Sequence, residues 1–225
     1  MMVNMRLLIG GLMLVAFHAA ADNLHWKGAG GNGAGDFDVT ANWVESKVPG
    51  AADLAAFNNQ ANANWAIALT SGDVSNTTIS IIAPPLNYET LFNLSQHVWS
   101  ATNGLNLWQG AGGKVTVSNG TLRISPLLHC QVQPSSGQMP TNLAIIAFQD
   151  VRSASANASF AGSITSFEGG EHAVANQLKV GTLTGASASA TLYLLNGTRV
   201  DVTNELHIGE ATGSTGRVDV ADAAF

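Results

Sequence analysis

Between Leu178 and Phe225 the chain runs in short triplets, each with one polar residue between two apolar ones. Leu178-Lys179-Val180, Leu192-Tyr193-Leu194, Val200-Asp201-Val202, Leu206-His207-Ile208 and Val218-Asp219-Val220 all have this form. Strict alternation turns one face toward a core and the other toward solvent, which predicts short half-buried strands. Gly, Asn, Ser and Thr fill the gaps, as turns require. Leu178-Lys179-Val180-Gly181 returns 28 residues later as Leu206-His207-Ile208-Gly209. A period of that size, carried by strands, predicts a solenoid.

The same triplets occur earlier as Leu105-Asn106-Leu107, Val115-Thr116-Val117 and Leu122-Arg123-Ile124. Spacing from first to second triplet is 10, 14 and 12 residues in the three partial or complete coils, and from second to third it is 7 and 8. A coil therefore has three short strands and a variable first turn. Stacked coils would lie about 4.8 Å apart and pair backbone to backbone. Tyr193 would stack with Asp219, and Lys179 with His207. Upstream, Ile67-Ala68-Leu69, Thr78–Ile81 and Leu91–Leu94 are further strand candidates, and Pro84-Pro85 marks a loop or edge. The stretch 126–175 is less regular. Gln133–Pro140 is a loop by composition, Leu143–Phe148 is a buried strand or brief helix, and one or two degenerate coils are expected here.

The N-terminus has a different pattern. Arg6 precedes an apolar run of eleven residues, Leu7–Phe17, and Ala19-Ala20-Ala21 supplies small residues for cleavage before Asp22. The run is too short to span a bilayer, which needs roughly 20 apolar residues. Residues 1–21 therefore read as a signal peptide. Residues 22–60 read as an aromatic and Gly-rich capping segment, and 61–225 as solenoid coils. In the capping segment Trp26, Phe37, Trp43 and Phe57 are spaced to fold over one another, with Asn and Asp satisfying local backbone groups.

The set Trp26, Gly28, Asp36-Phe37, Asn42-Trp43, Pro49-Gly50, Asp53 and Phe57 resembles the entry segment of secreted bacterial β-solenoid surface proteins. These include the autotransporter-associated β-strand repeat proteins and similar proteins with a C-terminal sorting signal. The usual form has Trp where this chain has Phe37. The resemblance implies an exported all-β rod and carries no catalytic residue with it. Coil spacing places the start of another third strand at Phe225, so a continuation of the same chain is expected.

Composition agrees with export. Charged residues make up only 11% of the chain, and neutral polar and small residues serve the surface instead. Loss of Arg6 would leave eight basic residues against fifteen acidic ones, a net charge of −7. With no basic cluster, neither nucleic-acid binding nor docking on anionic membranes is expected. Cys130 is the one cysteine, so no internal disulfide can form. His129 beside it would point to the opposite face, so the pair reads as a buried thiol and a surface imidazole.

Candidate chemistry is sparse. The outward triplet residues Lys179, Tyr193, Asp201, His207 and Asp219 do not supply the paired carboxylates of glycoside hydrolysis. Glu168, Glu171 and His172 cluster around Gly169-Gly170 and read as a solvated turn. Metal-ligand, phosphate-cradling and nucleophile motifs are missing, so no metal or cofactor is expected. Asn-x-Ser/Thr sequences fall at Asn76, Asn93, Asn119, Asn157 and Asn196. In a eukaryotic secretory pathway all five would be glycan acceptors, and turn chemistry accounts for the pair at Asn119 and Asn196. Trp99 and Trp108 are candidates for stacking on sugar rings, with Trp26 and Trp43 behind them. The expected protein is an all-β, parallel β-solenoid with a structural or adhesive role at the cell surface, possessing a polysaccharide or other surface ligand. The alternatives are a carbohydrate-active β-helix enzyme and a carbohydrate-binding module.

Overall fold

The computed structural model describes residues 21–59, 61–109, 112–132, 145–161, 164–181, 189–209 and 215–222. Residues 1–20 of the expected export segment, the loop at 133–140 and Phe225 lie outside these. The described chain winds as a parallel β-solenoid, with all strands joined into one ladder system around three faces. Face A stacks Gly35–Asp36, Trp65–Ala68, Glu89–Asn93, 114–118, 145–149, Ile164–Glu168, Ser189–Leu195 and Thr215–Val220. Face B stacks Val74–Asn76, Val98–Ala101, 121–124, 151–155, 171–174 and Arg199–Val202. Face C stacks Asn23–His25, Leu54–Asn58, Thr78–Ile82, Leu105–Gln109, 127–132, 157–161, 177–180 and Glu205–Ile208.

The rows follow from the alternation. Leu24, Ala55, Ile79, Leu105, Leu128, Ala158, Leu178 and Leu206 pair in succession on face C and point inward. On face A, Phe92, Val117, Phe148, Phe167 and Leu194 form a second inward row. All five are buried. Lys179 lies opposite His207 and Tyr193 opposite Asp219, in the register the 28-residue period requires. Residues 145–161 and 164–180 make two close-fitting coils of the same plan. The apolar run before Phe148 is thus strand from Ile145 onward.

Corners depend on residues that accept the left-handed region. Between faces A and B these are Gln96, Asn119, Asp150, Gly169 and Asn196, one in each of five successive coils, with φ from 50° to 75°. This is the turn chemistry that the two Asn-Gly-Thr sequences imply. Lys114–Val132 rounds two corners as one continuous strand. Gly120 allows it, because a Cβ there would meet Leu94 Cβ at 2.4 Å and the His97 carbonyl at 2.7 Å.

The segment from Asp22 to Phe57 closes over the first coils with its aromatic rings. Trp26 and Phe37 each meet Trp43 edge-on, at 5.1 and 5.0 Å between ring centroids. Phe57 joins them to Phe92 and Trp99. The indole N–H groups donate to backbone carbonyls, Trp26 to Gly33 at 3.0 Å and Trp43 to Phe37 at 2.8 Å. Each ring thus buries its area with its polar atom satisfied. Asp53 pins the Pro49-Gly50 turn by accepting from the backbone N–H groups of Gly50 and Asp22, with Lys47 Nζ 3.0 Å away. Burial alone would raise its pKa, but these donors outweigh it and hold the carboxyl below its usual range.

Candidate functional site

The outward residues of the strands decide what the solenoid can touch. On the last described coils, charges are clamped within their own strand, two residues apart on the same side. Arg199 Nε lies 3.0 Å from Asp201 Oδ2, and Arg217 Nε donates to Asp219 Oδ1 at 2.7 Å. His207 Nε2 is 3.0 Å from Glu205 Oε2. Glu168 accepts from Ser166 Oγ at 2.8 Å and from Gln149 Nε2 at 2.9 Å. Such pairs neutralise the surface and leave little to recognise.

Face B departs from this in its middle. Arg123 and Arg152 are exposed, and neither has a hydrogen bond or ion pair among the described residues. The reason is local. Where Arg199 and Arg217 have an aspartate two residues on, Arg123 has Ser125 and Arg152 has Ala154. Arg123 pairs in register with Ala154, so the two arginines sit diagonally on adjacent coils, about 8 Å apart by strand spacing and rise.

Arg123 opens onto a groove of about 590 Å³ along the edge between faces B and C. Its lining comes from four successive coils, including Thr102, Arg123, Ser125, Ala154, Ala156 and Ala175. The groove forms because residue 156 turns the corner of its coil alone, whereas other coils spend two or three residues there. A second hollow of about 390 Å³ continues around the same edge, lined by Pro126, Leu127, Asn157, Ser159, Gln177 and Lys179 among others. On the opposite edge of face B, Gln96, Asn119, Thr121, Asp150 and Arg152 line a polar notch of about 400 Å³.

The residues singled out from sequence are dispersed. Trp99 is fully buried, so its ring has no face to offer a sugar. This overturns its reading as a stacking platform. Trp99 occupies the same inward row as Val74 and Leu122, and its ring packs against Phe37, Phe57 and Phe92. Trp26 and Trp43 are buried too. Trp108 does lie on an outward row, half-buried on face C, between the register positions of Ile82 and Gln131, and it lines none of the grooves above.

The Glu168, Glu171 and His172 cluster also separates. Glu171 is exposed, but His172 is 2% exposed and belongs to the core rather than to a solvated turn. Its ring stacks on Phe167 at 3.9 Å between centroids, and Nδ1 lies 2.8 Å from Ser153 Oγ. Burial pushes its pKa down to about 4, offset only in part by the nearby Gly169 backbone. Burial likewise pushes the Cys130 thiol well above its usual range, so the cysteine is inert as a nucleophile. Burial lowers the pKa of His129, which sits half-buried on the opposite side of that strand.

Asn76 is fully buried, with both ends of its amide engaged, which leaves no room for a glycan in the folded chain. Among the described residues no group of three or more His, Cys, Asp or Glu side chains is placed to hold a metal ion, and no helix is long and apolar enough to cross a membrane. Sequence reading missed Arg123 and Arg152. Their signal is the absence of an aspartate two positions further along each strand. No protein-family model, curated protein or solved structure matches this chain.

Proposed function

We propose that this protein is an exported structural or adhesive solenoid of the cell surface or extracellular space. The observation that carries the reading is the contrast between its inside and its outside. Continuous inward rows run from Leu24 to Leu206 through eight stacked strands of face C. Outward charges on the later coils are spent on one another. Stacked coils of this kind keep their shape through contacts with their immediate neighbours, and length adds reach without a new core. Stability independent of disulfides also suits a chain whose one cysteine lies in the core.

Arg6, the apolar run Leu7–Phe17 and Ala19-Ala20-Ala21 support export through a cleaved signal peptide. The test is expression of the full chain in a secreting bacterial host, then fractionation and mass measurement of the mature N-terminus. The expected product begins at Asp22 and leaves the cytoplasm. A product that stays in the cytoplasm with residues 1–21 intact would overturn the reading.

A further inference from the structure

We propose that the groove between faces B and C binds an acidic polysaccharide, and that Arg123 meets its carboxylates. Arg123 is the sole charged residue lining the groove, on a chain whose net charge is −6. No acidic side chain lines it, so an incoming carboxylate meets no like charge there. The guanidinium is exposed and has no partner among the described residues, unlike those of Arg199 and Arg217. A planar guanidinium with a free fork matches a carboxylate in two parallel hydrogen bonds. Arg152, diagonal to it on the next coil and also without a partner among the described residues, extends the same field along the axis.

Shape selects an extended ligand. The groove crosses four coils, roughly 14 Å at the usual strand spacing, and the hollow beside Lys179 prolongs it. Ala154, Ala156 and Ala175 keep it shallow enough for a bulky ring, and Ser100, Thr102 and Ser125 add hydroxyl groups. An acidic peptide fits less well. The strand of Arg123 is paired on both sides, with Ser100 and Ala154, so no free backbone edge remains for strand addition. A uronate chain needs only side-chain donors.

The inference deepens the adhesive reading and rests on it only for where the glycan is met. Fractionation tests location, whereas binding is measured on the purified chain, so the two can fail separately. The probe is a short oligogalacturonate, titrated calorimetrically at low salt, with its carboxyl-reduced form and polyglutamate as comparisons. The intact protein is expected to bind oligogalacturonate and neither comparison. Arg123→Gln is expected to weaken binding about tenfold or more, the usual scale for a lost charge-assisted pair. Ala154→Phe, which fills the groove and leaves the charge in place, is expected to weaken it too, and Arg217→Gln to leave it unchanged. Should Arg123→Gln lose the far-ultraviolet signature of the fold, Ala154→Phe decides alone. Absence of binding, equal binding of polyglutamate, or binding indifferent to both groove variants would overturn the proposal.

Discussion

Trp99 donates its indole N–H to Asn76 Oδ1 across 2.9 Å in the centre of the solenoid. Both residues are fully buried, and the Asn76 amide also donates toward the carbonyls of Pro49 and Gly50 at 3.3 and 3.2 Å. One side chain therefore ties the capping segment to face B. Asn76→Leu would strand the indole N–H and remove the donor to both carbonyls. Each buried polar group so orphaned costs about 1–3 kcal/mol, so the variant is expected to lose about 3 kcal/mol or more. Denaturant unfolding measures it. Adding Trp99→Phe to Asn76→Leu should cost less than the sum of the single changes, because the orphaned donor is then gone.

His172 gives the fold an acid limit above the carboxylate range. Its pKa is pushed down to about 4 in the folded state, against about 6.5 when the chain is unfolded. Between these values the unfolded state binds the extra proton, so stability is full above pH 6.5 and falls as pH drops toward 4. The loss between about pH 7 and pH 5 should be about 2 kcal/mol. Measured by urea unfolding across that range, His172→Phe should flatten the slope while keeping the stack on Phe167. A slope that survives the substitution would assign it to other groups.

The path of the chain was legible because its inward positions alternate without interruption where the triplets are clearest. Leu178 and Leu206 share a residue type and a period, and the ladder pairs them. The same period of 28 carried back from Val200 falls on His172, and from Val202 on Val174. It would have placed His172 inside, had the polar side chain not argued for solvent. Trp99 misled for a related reason. It lies 23 residues before Leu122 and shares its row, but Val98-Trp99-Ser100 lacks the apolar-polar-apolar form. Variable corner lengths hide such alignments, since no single period fits all coils. Arg123 stayed hidden because its distinction is a missing aspartate at position 125, where Ser125 stands.

Thr198 shows how a corner can be bolted from within. Its side chain is fully buried, and Oγ1 lies 2.6 Å from the Leu195 carbonyl and 2.8 Å from that of Phe167, one coil below. Thr198→Val keeps the volume and removes the hydroxyl. The expected cost is about 1–2 kcal/mol, the scale of one buried hydrogen bond with its acceptor left unpaired. Thr198→Ser retains the donor and should recover most of it. Unfolding midpoints of the two variants separate the hydroxyl from the methyl group.

Gly170 and Gly197 serve the same edge of the solenoid, yet alanine should act on them very differently. Both have φ in the left-handed region, at +78° and +74°. That conformation alone costs an alanine about 1–2 kcal/mol. At Gly197 a Cβ would find nothing within 4 Å, so the conformational term is the whole cost. At Gly170 the Cβ would stand 2.1 Å from the Val151 carbonyl oxygen, on the coil below. That oxygen belongs to a strand paired on both sides and cannot retreat without opening the ladder. Overpacking adds about 1–3 kcal/mol, so Gly170→Ala should cost about 2–5 kcal/mol in all. Gly197→Asn should cost less than Gly197→Ala, because asparagine tolerates the left-handed region, whereas Gly170→Asn should recover nothing. Thermal and denaturant unfolding of the four variants checks the ordering. Equal costs for the two alanine variants would mean that the coils can separate at this corner.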